Sequence, residues 1–222
     1  MPSACRGRSI SPGLFFTFEG PEGCGKSTQM QKFSDWLKAR GFPVVLTREP
    51  GGTPCGDAIR GIFLEHAREN LEPETELFLM LAQRTEHWRK VIAPGVADGK
   101  FVLCDRYLDS SLAYQGYGRG LGAEKILRMH RRFLGSCLPN TTIVFSFDPA
   151  LGLMRAQARG KKHLDRMESE TLPFHRRVLA GYLELARKHP GRFLVVDADG
   201  TIETVFSSLL DKLQKKHPSL RI

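Results

Sequence analysis

The sequence predicts a three-layer α/β domain: a five-stranded parallel sheet flanked by helices. Three observations predict it. Short β-rich apolar runs recur five times along the chain, helical stripes fill the intervals between them, and a glycine-rich turn follows the first run. At 222 residues and 24.9 kDa the chain buries roughly 70% of its unfolded surface, enough for one sizeable core. We therefore expect residues 13–222 to form one domain behind a frayed extension over residues 1–12.

The first run is Leu14-Phe15-Phe16-Thr17-Phe18, followed by Val44-Val45-Leu46, Phe101-Val102-Leu103-Cys104, Thr142-Ile143-Val144-Phe145-Ser146-Phe147 and Phe193-Leu194-Val195-Val196. Their near-continuous apolar character is that of strands buried on both faces of a parallel sheet. Between them, Met30, Phe33 and Leu37 step by three and four, and Leu77, Leu81 and Trp88 by four and seven. Such spacings put apolar groups on one stripe of a helix. Gly41-Phe42-Pro43, Gly99 and Pro139-Asn140 mark where helices end and strands begin. Strands alternating with helices require right-handed crossovers.

Composition excludes several classes. With 41% apolar and 26% charged residues the chain is neither a disordered tail nor a fibre. No run approaches the ~18 apolar residues of a membrane span, and the opening nine residues read as no secretory signal. Five scattered cysteines form neither a disulfide framework nor a zinc-ligand spacing, so a reducing cytoplasm is the expected home. The formal charge of +9 calls for anionic partners without choosing among them.

The choice comes from Gly20-Pro21-Glu22-Gly23-Cys24-Gly25-Lys26-Ser27, which matches G-x-x-x-x-G-K-[ST] between a strand and a helix. Glycine-permitted N–H groups there line an anion site at the positive end of a helix dipole. Gly20 to Thr28 are thus the expected ATP-binding residues of a P-loop NTPase fold. Lys26 reaches the β- and γ-phosphates, and the Ser27 hydroxyl ligates Mg²⁺. Asp105, the acid that closes the third run, is expected beside that ion.

A phosphate loop alone also serves switch GTPases and motors. Asp197-Ala198-Asp199-Gly200 spells D-x-x-G, but it follows the last strand and no N-K-x-D motif accompanies it, so it reads as a loop before the final helix. Arg48 and Arg106 follow the second and third strands, where ligands of such sheets bind. Guanidinium forks at both ends call for a second, acceptor phosphate, that of a nucleoside monophosphate.

Arg48-Glu49-Pro50-Gly51-Gly52-Thr53, Asp105-Arg106-Tyr107-Leu108-Asp109-Ser110-Ser111-Leu112-Ala113-Tyr114-Gln115-Gly116 and Phe18-Glu19-Gly20-Pro21-Glu22-Gly23 together resemble bacterial thymidylate kinases, from about Phe16 to the final helix. The resemblance implies ATP + dTMP → ADP + dTDP with Mg²⁺ in a homodimer. It places Arg48 and Arg106 on the dTMP phosphate, Glu22 near the sugar 3′-hydroxyl, Arg84 on the thymine ring, Ser111 at the base edge with Gln115 nearby, and Tyr114 against the sugar 2′ position. Met80 stands where the family usually stacks an aromatic on thymine, and a thioether contributes about 0.3–1.5 kcal/mol to such a contact. Phe78 is expected to point elsewhere, into the core.

Arg155-Ala156-Gln157-Ala158-Arg159-Gly160-Lys161-Lys162-His163-Leu164-Asp165-Arg166 carries five Lys/Arg, one His and one acid, and resembles the family's lid, about residues 155–168. The resemblance is to the subgroup whose lid, not its phosphate loop, carries the catalytic arginine, which fits a loop without arginine; it implies Arg159 at the transferring phosphoryl group, with Lys26, Arg106 and Glu22 completing the catalytic set. Two readings compete. A nucleic-acid-binding ATPase would interleave aromatics with its basic residues, whereas Tyr107, Tyr114 and Tyr117 cluster after the third strand, so no nucleic-acid or membrane partner is expected. A deoxynucleoside kinase would need a carboxylate base, for which Glu22 or Glu49 could be proposed.

Overall fold

The computed structural model describes residues 13–65, 71–158 and 165–220. Five strands, β1 (Phe15–Glu19), β2 (Val44–Arg48), β3 (Phe101–Asp105), β4 (Thr141–Ser146) and β5 (Phe193–Asp197), form one sheet in the order β2-β3-β1-β4-β5. Every pairing is parallel. All five apolar runs are thus strands, within a residue or two at each end. The central position of β1 sets the phosphate loop at the middle of the sheet, where the strand order reverses.

Alternation along the strands divides the core. Phe15, Val102, Cys104, Val144 and Phe193 face one layer, with α3 (Pro73–His87), α5 (Leu108–Ser111), α6 (Ala123–Leu134) and α8 (Leu172–Lys188). Phe16, Phe18, Leu103, Ile143 and Phe145 face the other, against Phe33 and Leu37 of α1 (Lys26–Lys38) and Leu209 and Leu213 of α9 (Ile202–Lys216). The helix α2 (Pro54–Glu65) lines the cavity through Arg60, Phe63 and Leu64, and α7 (Pro149–Ala158) abuts the phosphate loop at Gly152. A π-helical turn, Trp88–Ile92, carries α3 into α4 (Ala93–Ala97), and a second, Leu112–Gly118, extends α5.

Two expectations change. β2 lies at the sheet's edge and is only partly covered, with Leu46 37% exposed, so it is not buried on both faces. Phe78 is not core: it is 58% exposed. In α3 the inward stripe is Leu77, Met80, Leu81 and Arg84, which turns the residue after Leu77 outward. Asp197 closes β5, and Ala198 to Gly200 form the loop into α9, whose N-cap is Thr201. The extension over residues 1–12 lies outside the described residues.

Candidate active site

Gly20, Gly23 and Gly25 take φ values of 138°, 70° and 86°, conformations that L side chains rarely adopt, and so wrap the chain between β1 and α1. Gly23 also abuts α7: a Cβ on it would meet Gly152 O at 2.1 Å. Lys26 is buried beneath the loop, where its Nζ donates to Pro21 O (2.8 Å) and Gly20 O (3.3 Å). Ser27 and Thr28 are exposed at the start of α1, and Ser27 Oγ donates to Asp105 Oδ2 at 2.8 Å. A hydroxyl and a carboxylate meeting beside a phosphate loop form a hard oxygen donor set, which suits Mg²⁺.

Beside this corner stands Arg106. Its φ of 69° is unusual for a side chain larger than glycine, and its N–H is held by Phe18 O at 3.1 Å. That turn throws the guanidinium back over the loop. Nη1 donates to Gly20 O (3.1 Å), Tyr182 Oη (3.2 Å) and Ser110 Oγ (3.3 Å), and Nη2 pairs with Glu22. Tyr114 Oη donates to the same Glu22 carboxylate at 3.2 Å. Burial alone would raise the Glu22 pKa, but the positive charges of Arg106 and Lys26 hold it down to about 2.

Glu19 lies beneath, fully buried at the end of β1. It accepts from Tyr107 N (2.9 Å), Ser110 Oγ (2.6 Å) and Tyr182 Oη (3.1 Å). Burial, with the Asp109 charge adding to it, pushes its pKa up to about 7.

The far end of the cavity is organised by Arg84, 1% exposed. Its Nε donates to Glu49 Oε2 (2.8 Å) and its Nη2 to Ser111 Oγ (2.9 Å) and Tyr107 O (3.1 Å), while Nη1 has no partner among the described residues. His87 faces the other Glu49 oxygen at 3.0 Å and Thr47 at 2.6 Å. Both Glu49 oxygens are thereby engaged. Although burial opposes ionisation, Arg84 and His87 bring the Glu49 pKa below its ordinary value. The cavity, about 450 Å³, runs from Lys26, Ser27 and Asp105 past Arg106 to Arg84, Met80, Ser111, Tyr114 and Gln115. That is room for a nucleotide's base and sugar beside a phosphate cradle.

The profile of the thymidylate kinase family matches residues 18–209. The chain belongs to the thymidylate kinase family. It is 45% identical to the thymidylate kinase of Caulobacter vibrioides over 202 residues, covering 91% of this chain and 96% of that one. Identity with the Deinococcus radiodurans thymidylate kinase is 49% over 189 residues, covering 85% and 90%. The crystal structure of the Ehrlichia chaffeensis thymidylate kinase superposes with a TM-score of 0.74 at 31% identity, covering 92% of this chain and 99% of that one.

As a thymidylate kinase family member the chain is a phosphotransferase, and its fold unites most of the residues singled out by sequence. Glu22, Gly23, Gly25, Lys26, Ser27, Thr28, Arg48, Met80, Arg84, Asp105, Arg106, Ser111, Tyr114 and Gln115 line one cavity. Cys24 is buried at the base of the loop, its Sγ 3.7 Å from Lys26 Nζ. Arg48 lines the cavity but is half-exposed, with its Nη2 3.4 Å from Asp57. Arg159 and the rest of 159–164 lie outside the described residues. Sequence reasoning missed Arg60, on the cavity wall with Nη1 on Pro50 O at 3.0 Å, and missed Glu19 and Tyr182 beneath Arg106. Glu49 lies within a quoted motif, yet its part as the Arg84 anchor had no signal beyond its place beside Arg48.

Proposed function

We propose that this chain phosphorylates dTMP to dTDP with ATP as donor and Mg²⁺ as the ion, in a cytoplasmic homodimer. The observation that carries the reading is the single cavity joining the Lys26 phosphate cradle to the Arg106 and Arg84 end. Gly20 to Thr28 would hold the donor's phosphates. Ser27 and Asp105 would hold Mg²⁺, which supplies charge neutralisation across the β- and γ-phosphates. Arg106 and Arg48 would take the acceptor phosphate. The exposed Arg48–Asp57 contact is weak enough for a phosphate dianion to displace it.

The acceptor needs no base, since a phosphate monoester is largely dianionic at pH 7. The protein's task is to seat two anions in line and neutralise the group between them. The carboxylates fit this better than they fit a 5′-hydroxyl acceptor. Glu22, with a pKa of about 2, is a poor base at neutral pH, and Glu49 spends both oxygens on Arg84 and His87. Tyr114 and Met80 would shape the sugar and base pockets, and residues 155–168 the lid that brings Arg159 to the phosphoryl group. The exposed Phe78 and Phe133, on neighbouring helices α3 and α6, support an apolar contact between two copies.

The test compares dTMP with thymidine under ATP and Mg²⁺. Turnover of dTMP alone is expected. Turnover of thymidine but not dTMP overturns the reading.

A further inference from the structure

A fully buried carboxylate lies behind the base end of the cavity and outside the mechanism above. Glu76, on α3 and 0% exposed, accepts from Gln115 Nε2 through Oε2 at 2.9 Å. Its Oε1 accepts from Arg119 Nη2 (2.8 Å) and Nε (3.1 Å) and from Arg166 Nη1. Arg166 in turn donates through Nε to Phe63 O at 3.0 Å, and Arg119 Nη2 pairs with Glu170 at 2.5 Å. The carboxylate is therefore fixed from three sides.

A carboxylate gripped by two guanidinium groups offers only acceptors. Gln115 can face it in one way alone, with the amide NH₂ toward Glu76 and the carbonyl Oε1 turned away, on the side of the cavity that Gln115 lines. Arg84 lines the same end of the cavity, with its Nε and Nη2 committed to Glu49, Ser111 and Tyr107. The wall thus presents an acceptor at the Gln115 carbonyl. Thymine and uracil offer the complement, an N3–H donor beside the O4 acceptor. Cytosine offers the reverse, an N3 acceptor beside an exocyclic amine.

We propose that Glu76 is a positioning residue for base specificity: by fixing the direction of the Gln115 amide it selects pyrimidines bearing N3–H and O4 over those bearing an exocyclic amine. This rests on the proposed nucleotide acceptor and adds a residue that never touches it. In Glu76→Gln the neighbouring amide can donate or accept, so Gln115 can turn over and present its NH₂ to the cavity.

The experiment measures kcat/KM for dTMP and dCMP in the native protein, Glu76→Gln and Glu76→Asp, together with binding of dTMP and N3-methyl-dTMP to the native protein by calorimetry. The dTMP-to-dCMP ratio is expected to fall by about tenfold or more in Glu76→Gln, the cost of one mismatched buried polar contact. Glu76→Asp, which keeps the charge but withdraws it from Gln115, should show a smaller fall. In the native protein N3-methylation should weaken binding by a similar factor. A folded variant in which both substrates decline in parallel assigns Glu76 a structural role only and overturns the proposal. Equal binding of the methylated nucleotide overturns it without any variant. Native protein that does not phosphorylate dTMP overturns the parent reading instead, so the two failures are distinct.

Discussion

The Ser27 hydroxyl and the Asp105 carboxylate meet at 2.8 Å although 78 positions separate them. β3 pairs directly with β1, so the acid at the end of one strand falls beside the helix that opens after the other. The two side chains form the hard-oxygen corner in which Mg²⁺ is proposed to sit. Asp105→Asn keeps the size and removes the anionic oxygen. The Mg²⁺ concentration for half-maximal rate is expected to rise by about 10- to 100-fold with little change in melting temperature. A magnesium titration checks this, and an unchanged midpoint would remove Asp105 from the ion.

Arg106 makes four contacts with a planar fork, so lysine is no conservative replacement. Arg106→Lys should lower kcat/KM for dTMP by at least about 100-fold while leaving ATP binding nearly unchanged. Steady-state kinetics in both substrates, with a nucleotide-binding titration, separates the two effects.

Gly152 on α7 meets the phosphate loop backbone to backbone. A Cβ there would lie 2.2 Å from Glu22 O. Gly152→Ala must push the loop or the helix aside. A loss of about 1–3 kcal/mol in unfolding free energy is expected, along with a raised KM for ATP and a KM for dTMP that moves less. Denaturant unfolding and kinetics test it together; a variant as stable and as tight for ATP as the native chain contradicts the contact.

Glu19 ties stability to pH. Its folded pKa of about 7 lies above the ordinary 4.5 because burial disfavours the charge. The folded state therefore holds this proton more tightly than the unfolded chain. Its contribution is complete below pH 4.5 and is lost as pH rises through 7, by up to about 3 kcal/mol. Glu19→Gln cannot ionise and should lack that slope. Unfolding free energies at pH 5 and pH 8 compare the two, and identical slopes would deny the raised pKa.

Arg159 carries the remaining prediction. If it meets the transferring phosphoryl group, Arg159→Ala should reduce kcat by about 10³-fold or more with dTMP affinity preserved. A change in KM alone would reduce it to uniform binding.

Much of this was legible in the sequence for one reason: strands and phosphate loops are local patterns. Phe101 to Asp105 reads as a buried strand with an acid at its end because its neighbours say so, and the fold only supplies Ser27. Phe78 was misread because an apolar residue one step off a helical stripe looks like core until the stripe's direction is known. Arg60 and Glu76 carry no motif of their own; each acquires its place through partners that the chain brings from elsewhere, Pro50 for one, and Gln115, Arg119 and Arg166 for the other. The π-helical turns were equally illegible, since one extra residue per turn leaves no mark on composition.

The left-handed backbone at Arg106 has a kinetic consequence. Because its guanidinium is already braced by Gly20, Ser110, Tyr182 and Glu22, an arriving nucleotide finds a receptor with its rotamers frozen. Encounter then needs no search by that side chain, and the waiting time before capture is left to diffusion and to whatever else must move.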